Sequence, residues 1–291
     1  MNNTLYDSII IGNGPAGITS AIYLKRAGYN PLIISKNESS LLKAKEIENY
    51  YGFIDPISGE ELYKNGIAQA KRLNIEIIED EVLSVMFDIK GYKVSTKDND
   101  FNAHTVIFST GMIRNVPVIK NIANYEGKGV SYCATCDGFF FRNKKVAILG
   151  NKEYALHEAE ALLPLASEVT ILTNGKPIEF NTDKNININT TKIKELQGNE
   201  ILEKVIFQDD TSIDISGLFI ALGTASSADF AKKIGAYTEN HKIVINNKME
   251  TNVPGIYACG DCVDGMLQIA KAIYQGAEAS MSAIEYLKKQ K

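Results

Sequence analysis

Residues 8–24 hold this chain to one kind of beginning. Ser8 to Gly12 is an apolar run that ends in Gly12-Asn13-Gly14-Pro15-Ala16-Gly17, after which Ile18, Ala21, Ile22 and Leu24 recur at helical spacing. A strand entering a helix in this way uses the first glycine for the bend, the second to let backbone approach a pyrophosphate, and the third for close helix packing. The helix N-terminus then offers free N–H groups and partial positive charge to phosphate. G-x-G-x-x-G alone also fits an ordinary turn; between a strand and a helix it reads as a dinucleotide-binding βαβ unit. Gly28 stops the helix, and Pro31 to Ser35 supplies the second strand. The acidic residue usually found about 20 positions on, for ribose hydroxyls, is missing. The second strand ends instead in Ser35-Lys36, with Glu38 in the loop beyond as a substitute.

At 291 residues the chain is long for a single core, so two domains are expected. Its 45% apolar and 23% charged residues fit a globular protein, and the net charge of -4 predicts no affinity for nucleic acid. No basic leader precedes the first apolar run, and no stretch of about 18 apolar residues occurs, so a cytoplasmic location is the default expectation. Helical periodicity returns over Gly59 to Arg72. Extended segments follow at Ile75 to Ile78, Val82 to Asp88, Tyr92 to Thr96 and Thr105 to Ser109, the middle ones alternating like an antiparallel meander. Strand Lys145 to Gly150, a helix through Ala155, Ala159, Leu162 and Leu163, and strand Glu168 to Thr173 repeat the opening theme. The chain closes with strand Ile256 to Cys259, the loop Gly260-Asp261-Cys262 and a helix from about Leu267 to Lys288. The expected fold class is α/β: two Rossmann-like doubly wound domains with antiparallel β meanders, the second inserted in the first. Residues 1–113 and 247–291 form the first domain and 114–246 the second, with a paired hinge near Met112 to Pro117 and Asn246 to Val253.

The four cysteines form two Cys-x-x-Cys pairs, Cys133 with Cys136 and Cys259 with Cys262. In a reducing compartment such pairs point to redox chemistry or metal. One zinc site would need the pairs brought together across roughly 120 residues, against about 15 to 20 in common zinc modules. A two-residue gap instead permits a disulfide within one helical turn, and a helix N-terminus makes thiolate available near neutral pH. Reducing a disulfide generates two thiolates, one of which must be protonated; Asp137, next to Cys136, can serve that need or simply cap a turn. Cys259 and Cys262 straddle the Gly260-Asp261 turn and read as small, buried, inert side chains. His104, His157 and His241 show no ligand spacing.

The motifs in order are Gly12 to Gly17, Glu48-Asn49 before Gly52, Ser109-Thr110-Gly111, Cys133-Ala134-Thr135-Cys136-Asp137, and Ala258-Cys259-Gly260-Asp261 with Gln268. Together they resemble the low-molecular-weight thioredoxin reductase family of flavoproteins over essentially the whole chain. The resemblance implies FAD, held by Gly12, Gly14, Pro15, Ala16, Gly17, Ser35, Lys36, Asn49, Val82, Thr110, Gly111, Asp261, Gln268 and Ile269. Asn49 would lie near the isoalloxazine ring and Asp261 at the ribitol or pyrophosphate. Gln268 and Ile269 would begin a helix whose positive end favours a negatively charged reduced flavin. It also implies that Cys136 faces the flavin, that Cys133 attacks the substrate disulfide, that Asp137 moves the proton, and that the enzyme is a homodimer whose central domain rotates.

The second turn departs from the family pattern. It reads Gly150-Asn151-Lys152-Glu153-Tyr154-Ala155, so lysine stands where backbone would meet pyrophosphate. Thr173-Asn174-Gly175 replaces the family's His-Arg-Arg grip on the 2′-phosphate, and Leu267 replaces an arginine before Gln268. Threonine and asparagine supply neither the charge nor the fork of arginine, so NADPH recognition is expected to be weak. In this respect the chain resembles the ferredoxin-dependent flavin thioredoxin reductases. A ferredoxin near about -400 mV and a thioredoxin near about -270 mV leave about 6 kcal/mol for two electrons. The expected partners are thioredoxin and an acidic ferredoxin, with Lys43, Lys45, Arg142, Lys144, Lys145 and Lys152 as candidate donor contacts. Three rivals stay open: an NAD(P)H-dependent reductase with an atypical nucleotide site, an oxygen-using dithiol oxidase, and a flavin-binding redox sensor.

Overall fold

Strand Leu5–Ile11 lies inside a sheet, with Ile9 and Ile10 wholly buried. The computed structural model that shows this describes residues 4–36, 39–111, 117–132, 134–184, 186–223 and 226–290. The chain divides into two units, Met1–Ile113 with Ser226–Lys291, and Arg114–Ala225.

In the first unit, strands Glu76–Glu79, Pro31–Ser35, Leu5–Ile11 and Asp100–Phe108 lie side by side and parallel. The near-continuous apolar runs Leu32 to Ile34 and Val106 to Phe108 suit strands covered on both faces. Asp100–Phe108 does two things. Its beginning pairs antiparallel with Gly91–Thr96, which in turn pairs with Val82–Asp88; its end pairs parallel with Ile256–Ala258. The expected meander is therefore present, and its last strand begins earlier than the Thr105 expected from the sequence. Helix Pro15–Arg26 packs along helix Ile269–Gln290 so closely that a Cβ on Gly276 would lie 2.3 Å from the Ala16 carbonyl oxygen. Ser20 Oγ reinforces the seam by donating to Gly276 O at 2.9 Å.

The second unit has a parallel sheet ordered Asn187–Asn189, Glu168–Leu172, Lys145–Leu149, Gly217–Ile220, Val130–Ser131, with a three-stranded antiparallel sheet formed by Ile193–Gln197, Lys204–Phe207 and Ser212–Asp214. Ala147, Leu149, Leu172, Leu196, Val205, Phe207 and Leu218 meet in its core. Helix Glu153–Leu162 follows the strand Lys145–Leu149, as the repeated βαβ pattern predicts.

The second crossing differs from expectation: residues 226–246 belong with the first unit, not with the central domain. Helix Ser227–Lys233 is the reason. Its N-cap Ser226 and Asp229 form a capping box, and its buried Phe230 stacks on Phe108 at 6.3 Å between centroids and 7° between planes. Ser227 Oγ lies 2.8 Å from Thr110 Oγ1. Within the segment expected to hinge, Met249 joins the first unit's core, and Asn246 Nδ2 donates to Glu250 Oε2 at 2.7 Å. Of the other expected crossing, residues 112–116 lie outside the described set. Replacing Phe230 by alanine leaves a cavity against Phe108 and lowers the first unit's stability by about 3–5 kcal/mol in urea unfolding. A loss below about 1 kcal/mol contradicts this packing.

Candidate functional site

Gly12 leaves the first strand at φ +111°, where a Cβ would lie 2.5 Å from Ser109 O, and a Cβ on Gly17 would lie 2.0 Å from Gly12 O. These two glycines are imposed by the protein's own packing. Gly14 is different: the nearest atom to a Cβ there is Ser39 Oγ at 3.8 Å, so its surface is open. Gly14 is also the N-cap of helix Pro15–Arg26, has no side chain to satisfy the first N–H groups, and is followed by no acidic residue in the first turn. Open glycine backbone at an uncapped helix start is what an anionic phosphate requires.

The other residues expected at the cofactor belong to the same unit. Asn49 Nδ2 donates to Gln268 Oε1 at 2.9 Å, joining two residues far apart in the chain. Gln268 O accepts from Ala272 N at 3.0 Å as the closing helix begins at Ile269. Ser35 ends the second strand, Val82 is buried, and Lys36 Nζ pairs with Glu81 Oε2 at 3.0 Å. Glu38 lies outside the described residues. Thr110 is tied to Ser227, while Gly111, at φ +73°, has no atom within 4 Å of a Cβ position. Gly260, at φ +80°, brings the Asp261 turn against the fingerprint helix: a Cβ there would be 3.1 Å from Ala16 Cβ. Asp261 Oδ1 is buried without a hydrogen-bond partner. An open phosphate cradle beside an orphaned carboxylate oxygen fits FAD, whose ribityl hydroxyls are the donors this acceptor lacks.

Cys259 and Cys262 flank that aspartate as free, buried thiols. Cys262 Sγ donates to Cys259 O at 3.2 Å, and burial pushes its pKa up to about 11. Burial raises Cys259 further still. Neither forms thiolate near neutral pH, which accords with an inert role.

In the second unit, Cys133 and the side chain of Cys136 lie outside the described residues. Their immediate setting is visible. Helix Ala134–Asp137 packs on helix Glu153–Leu162, with Ala134 N donating to buried Glu158 Oε2 at 3.0 Å. Ser131 Oγ donates to Asp137 Oδ2 at 2.6 Å, which fixes the carboxyl expected to move a proton. Just beyond, Phe139 and Phe140 are exposed, with Arg142 over the Phe139 ring. The sequence reading passed over these two exposed rings, the first of three consecutive phenylalanines, Phe139 to Phe141.

The second glycine turn is occupied by the chain itself. Gly150 is required by packing, since a Cβ would lie 2.2 Å from Ala221 O. Lys152 takes the position where phosphate would approach, and its Nζ pairs with Glu179 Oε2 at 3.0 Å. Glu179 N donates to Asn151 O at 2.8 Å, and Asn151 Nδ2 donates to Pro177 O at 2.8 Å. Segment 177–179 is thus fastened across the turn, and Glu153 adds negative charge to the first turn of the helix. Thr173-Asn174-Gly175 is also committed locally: Asn174 Oδ1 accepts from Ile193 N at 2.8 Å. Of the lysines expected to meet a donor, Lys145 and Lys152 are engaged with Glu168 and Glu179, and Lys144 lies over the Phe141 ring.

The family described as pyridine nucleotide-disulphide oxidoreductase matches residues 6–276. A thioredoxin reductase of Aquifex aeolicus is 33% identical over 302 residues, covering 97% of this chain and 94% of its own. Among solved structures, the atypical thioredoxin reductase TRi from Desulfovibrio vulgaris Hildenborough has a TM-score of 0.94 and 37% identity, covering 98% of this chain and 99% of its own. A ferredoxin-flavin thioredoxin reductase from Clostridium acetobutylicum has a TM-score of 0.73 and 31% identity, with the same coverage.

The thiol environments predict a simple count. In the reduced native protein, a disulfide reagent at pH 8 modifies two thiols quickly, and a variant with Cys133 and Cys136 both changed to serine shows none until denatured. Fast modification in that variant contradicts the burial of Cys259 and Cys262.

Proposed function

Because this chain belongs to the pyridine nucleotide-disulphide oxidoreductase family, and within it to the thioredoxin reductases, we propose that it reduces thioredoxin through Cys133 and Cys136 using electrons from reduced ferredoxin. The observation that carries the ferredoxin assignment is the closed second turn, where Lys152, Asn151 and Glu179 bind one another across the place a nucleotide phosphate would need. The ferredoxin-flavin enzyme of Clostridium acetobutylicum, alike over nearly the whole chain, supports it. The family's pyridine-nucleotide members are the ground for the rival reading, NAD(P)H supply.

When bound, FAD accepts electrons singly from a one-electron donor and passes a pair to a disulfide. The chain's residues do the rest. Gly14 and the uncapped helix start would hold the phosphates, Asp261 would accept from hydroxyl groups, and the hydrogen-bonded Asn49 and Gln268 would hold the ring end. Disulfide reduction takes up two electrons and two protons; Asp137, oriented by Ser131 and next in sequence to Cys136, would carry one of the protons. Phe139 and Phe140 offer a protein substrate an apolar contact next to the dithiol helix, where aromatic anchors are most effective.

The test is anaerobic turnover of thioredoxin with two reductants. Reduced ferredoxin supports catalysis at a rate at least about a hundredfold above that with NADPH, and Cys136→Ser abolishes it while retaining flavin. NADPH turnover equal to that with ferredoxin sinks the donor assignment; turnover by Cys136→Ser sinks the dithiol.

A further inference from the structure

Lys271 is the charge in the first unit that its surroundings least explain. It is the third residue of helix Ile269–Gln290, in the first turn, where the helix's own positive end opposes a cation. Its side chain is only 8% exposed and its Nζ has no hydrogen-bond partner. Burial holds its pKa below the usual lysine range. The nearest carboxylate oxygen, Asp261 Oδ1, is 3.9 Å away, beyond hydrogen-bond length, and is itself buried and unsatisfied. Asp264 does not complete the pair, because its Oδ1 is held by Lys242 Nζ at 3.0 Å. Cys262, the other titratable neighbour, is kept as a thiol by burial. A buried ammonium and a buried carboxylate oxygen, 3.9 Å apart and neither of them hydrogen-bonded, are costly until another group satisfies both.

Their position says which group. Gly260, one residue before Asp261, abuts Ala16, and Gly276, five residues after Lys271, abuts the Ala16 carbonyl. The Asp261 turn and the helix that carries Lys271 therefore both pack on the first turn of the fingerprint helix, which begins at the open Gly14. We propose that Lys271 is a cofactor-positioning residue, which with Asp261 forms a charge pair completed by bound FAD. The ammonium answers the negative charge of the cofactor and holds Asp261 to accept from its hydroxyl groups. Without Lys271, the half-buried Asp261 would be an unpaired anion next to an anionic ligand. The inference is independent of the electron donor and rests on the placement of FAD at Gly12 to Gly17.

Holoenzymes carrying Lys271→Met, Lys271→Arg and, separately, Gly14→Val test both levels. The readouts are the FAD dissociation constant, from flavin fluorescence on dilution, and the flavin midpoint potential. Lys271→Met weakens FAD about tenfold or more, since each factor of ten needs only about 1.4 kcal/mol. Reduced flavin, with its added negative charge, loses a further tenfold, which converts to a midpoint about 30 mV more negative for a two-electron couple. Lys271→Arg keeps both values near those of the parent. Parental affinity and midpoint in Lys271→Met overturn the inference, as does lost thermal stability with unchanged flavin parameters. Lys271→Gln is judged by the same criteria if the methionine variant does not fold. Gly14→Val that retains FAD at parental affinity removes the cofactor placement itself; Gly14→Val that loses FAD while Lys271→Met keeps it removes only the role of the lysine.

Discussion

Everything in the first unit's site hangs on one close approach, the start of helix Pro15–Arg26 against the turn that leaves strand Leu5–Ile11. Gly17 sits so near Gly12 O, and Gly12 so near Ser109 O, that no side chain fits at either. Those contacts aim the helix start and leave Gly14 open. The closing helix, which carries Lys271 in its first turn, is brought to the same helix by Gly276 and Ser20, and the Asp261 turn by Gly260. Backbone proximity thus sets the geometry, and the charged groups are placed by it. Here electrostatics follows packing.

The second unit shows what becomes of such a turn when its two kinds of glycine are separated. Gly150 remains, because Ala221 O would meet any Cβ. Two residues on stands Lys152, paired with Glu179, and residues 177–179 are hydrogen-bonded to Asn151. The parallel sheet rests on the core around Ala147, Leu149 and Leu218, and helix Ala134–Asp137 rests on helix Glu153–Leu162 through Ala134 N and Glu158.

Much of the first unit was legible in the sequence because its signals are local: a three-glycine turn, strands with Val and Ile runs, and an amphipathic closing helix. The pairing of Asn49 with Gln268 was reachable only through family resemblance, as 219 positions separate them. Residues 173–253 were largely illegible. Their strands are two to five residues long, too short for a period to declare itself. Helix Ser227–Lys233 did carry a readable start in Ser226 and Asp229, but aspartate in place of the usual Glu or Gln weakened it. The clasp between Lys152 and Glu179 and the pair Lys271 with Asp261 have no local pattern, because each is made by chain segments that meet only in three dimensions.

The claim that the second unit no longer takes a pyridine nucleotide is tested most directly by calorimetric titration of the oxidised holoenzyme with NADPH and NADH. With Lys152, Asn151 and Glu179 closing the turn, the account predicts no saturable heat up to about millimolar nucleotide, the range in which binding is worth only about 4 kcal/mol. A one-to-one isotherm with a Kd of a few micromolar for either nucleotide would contradict it.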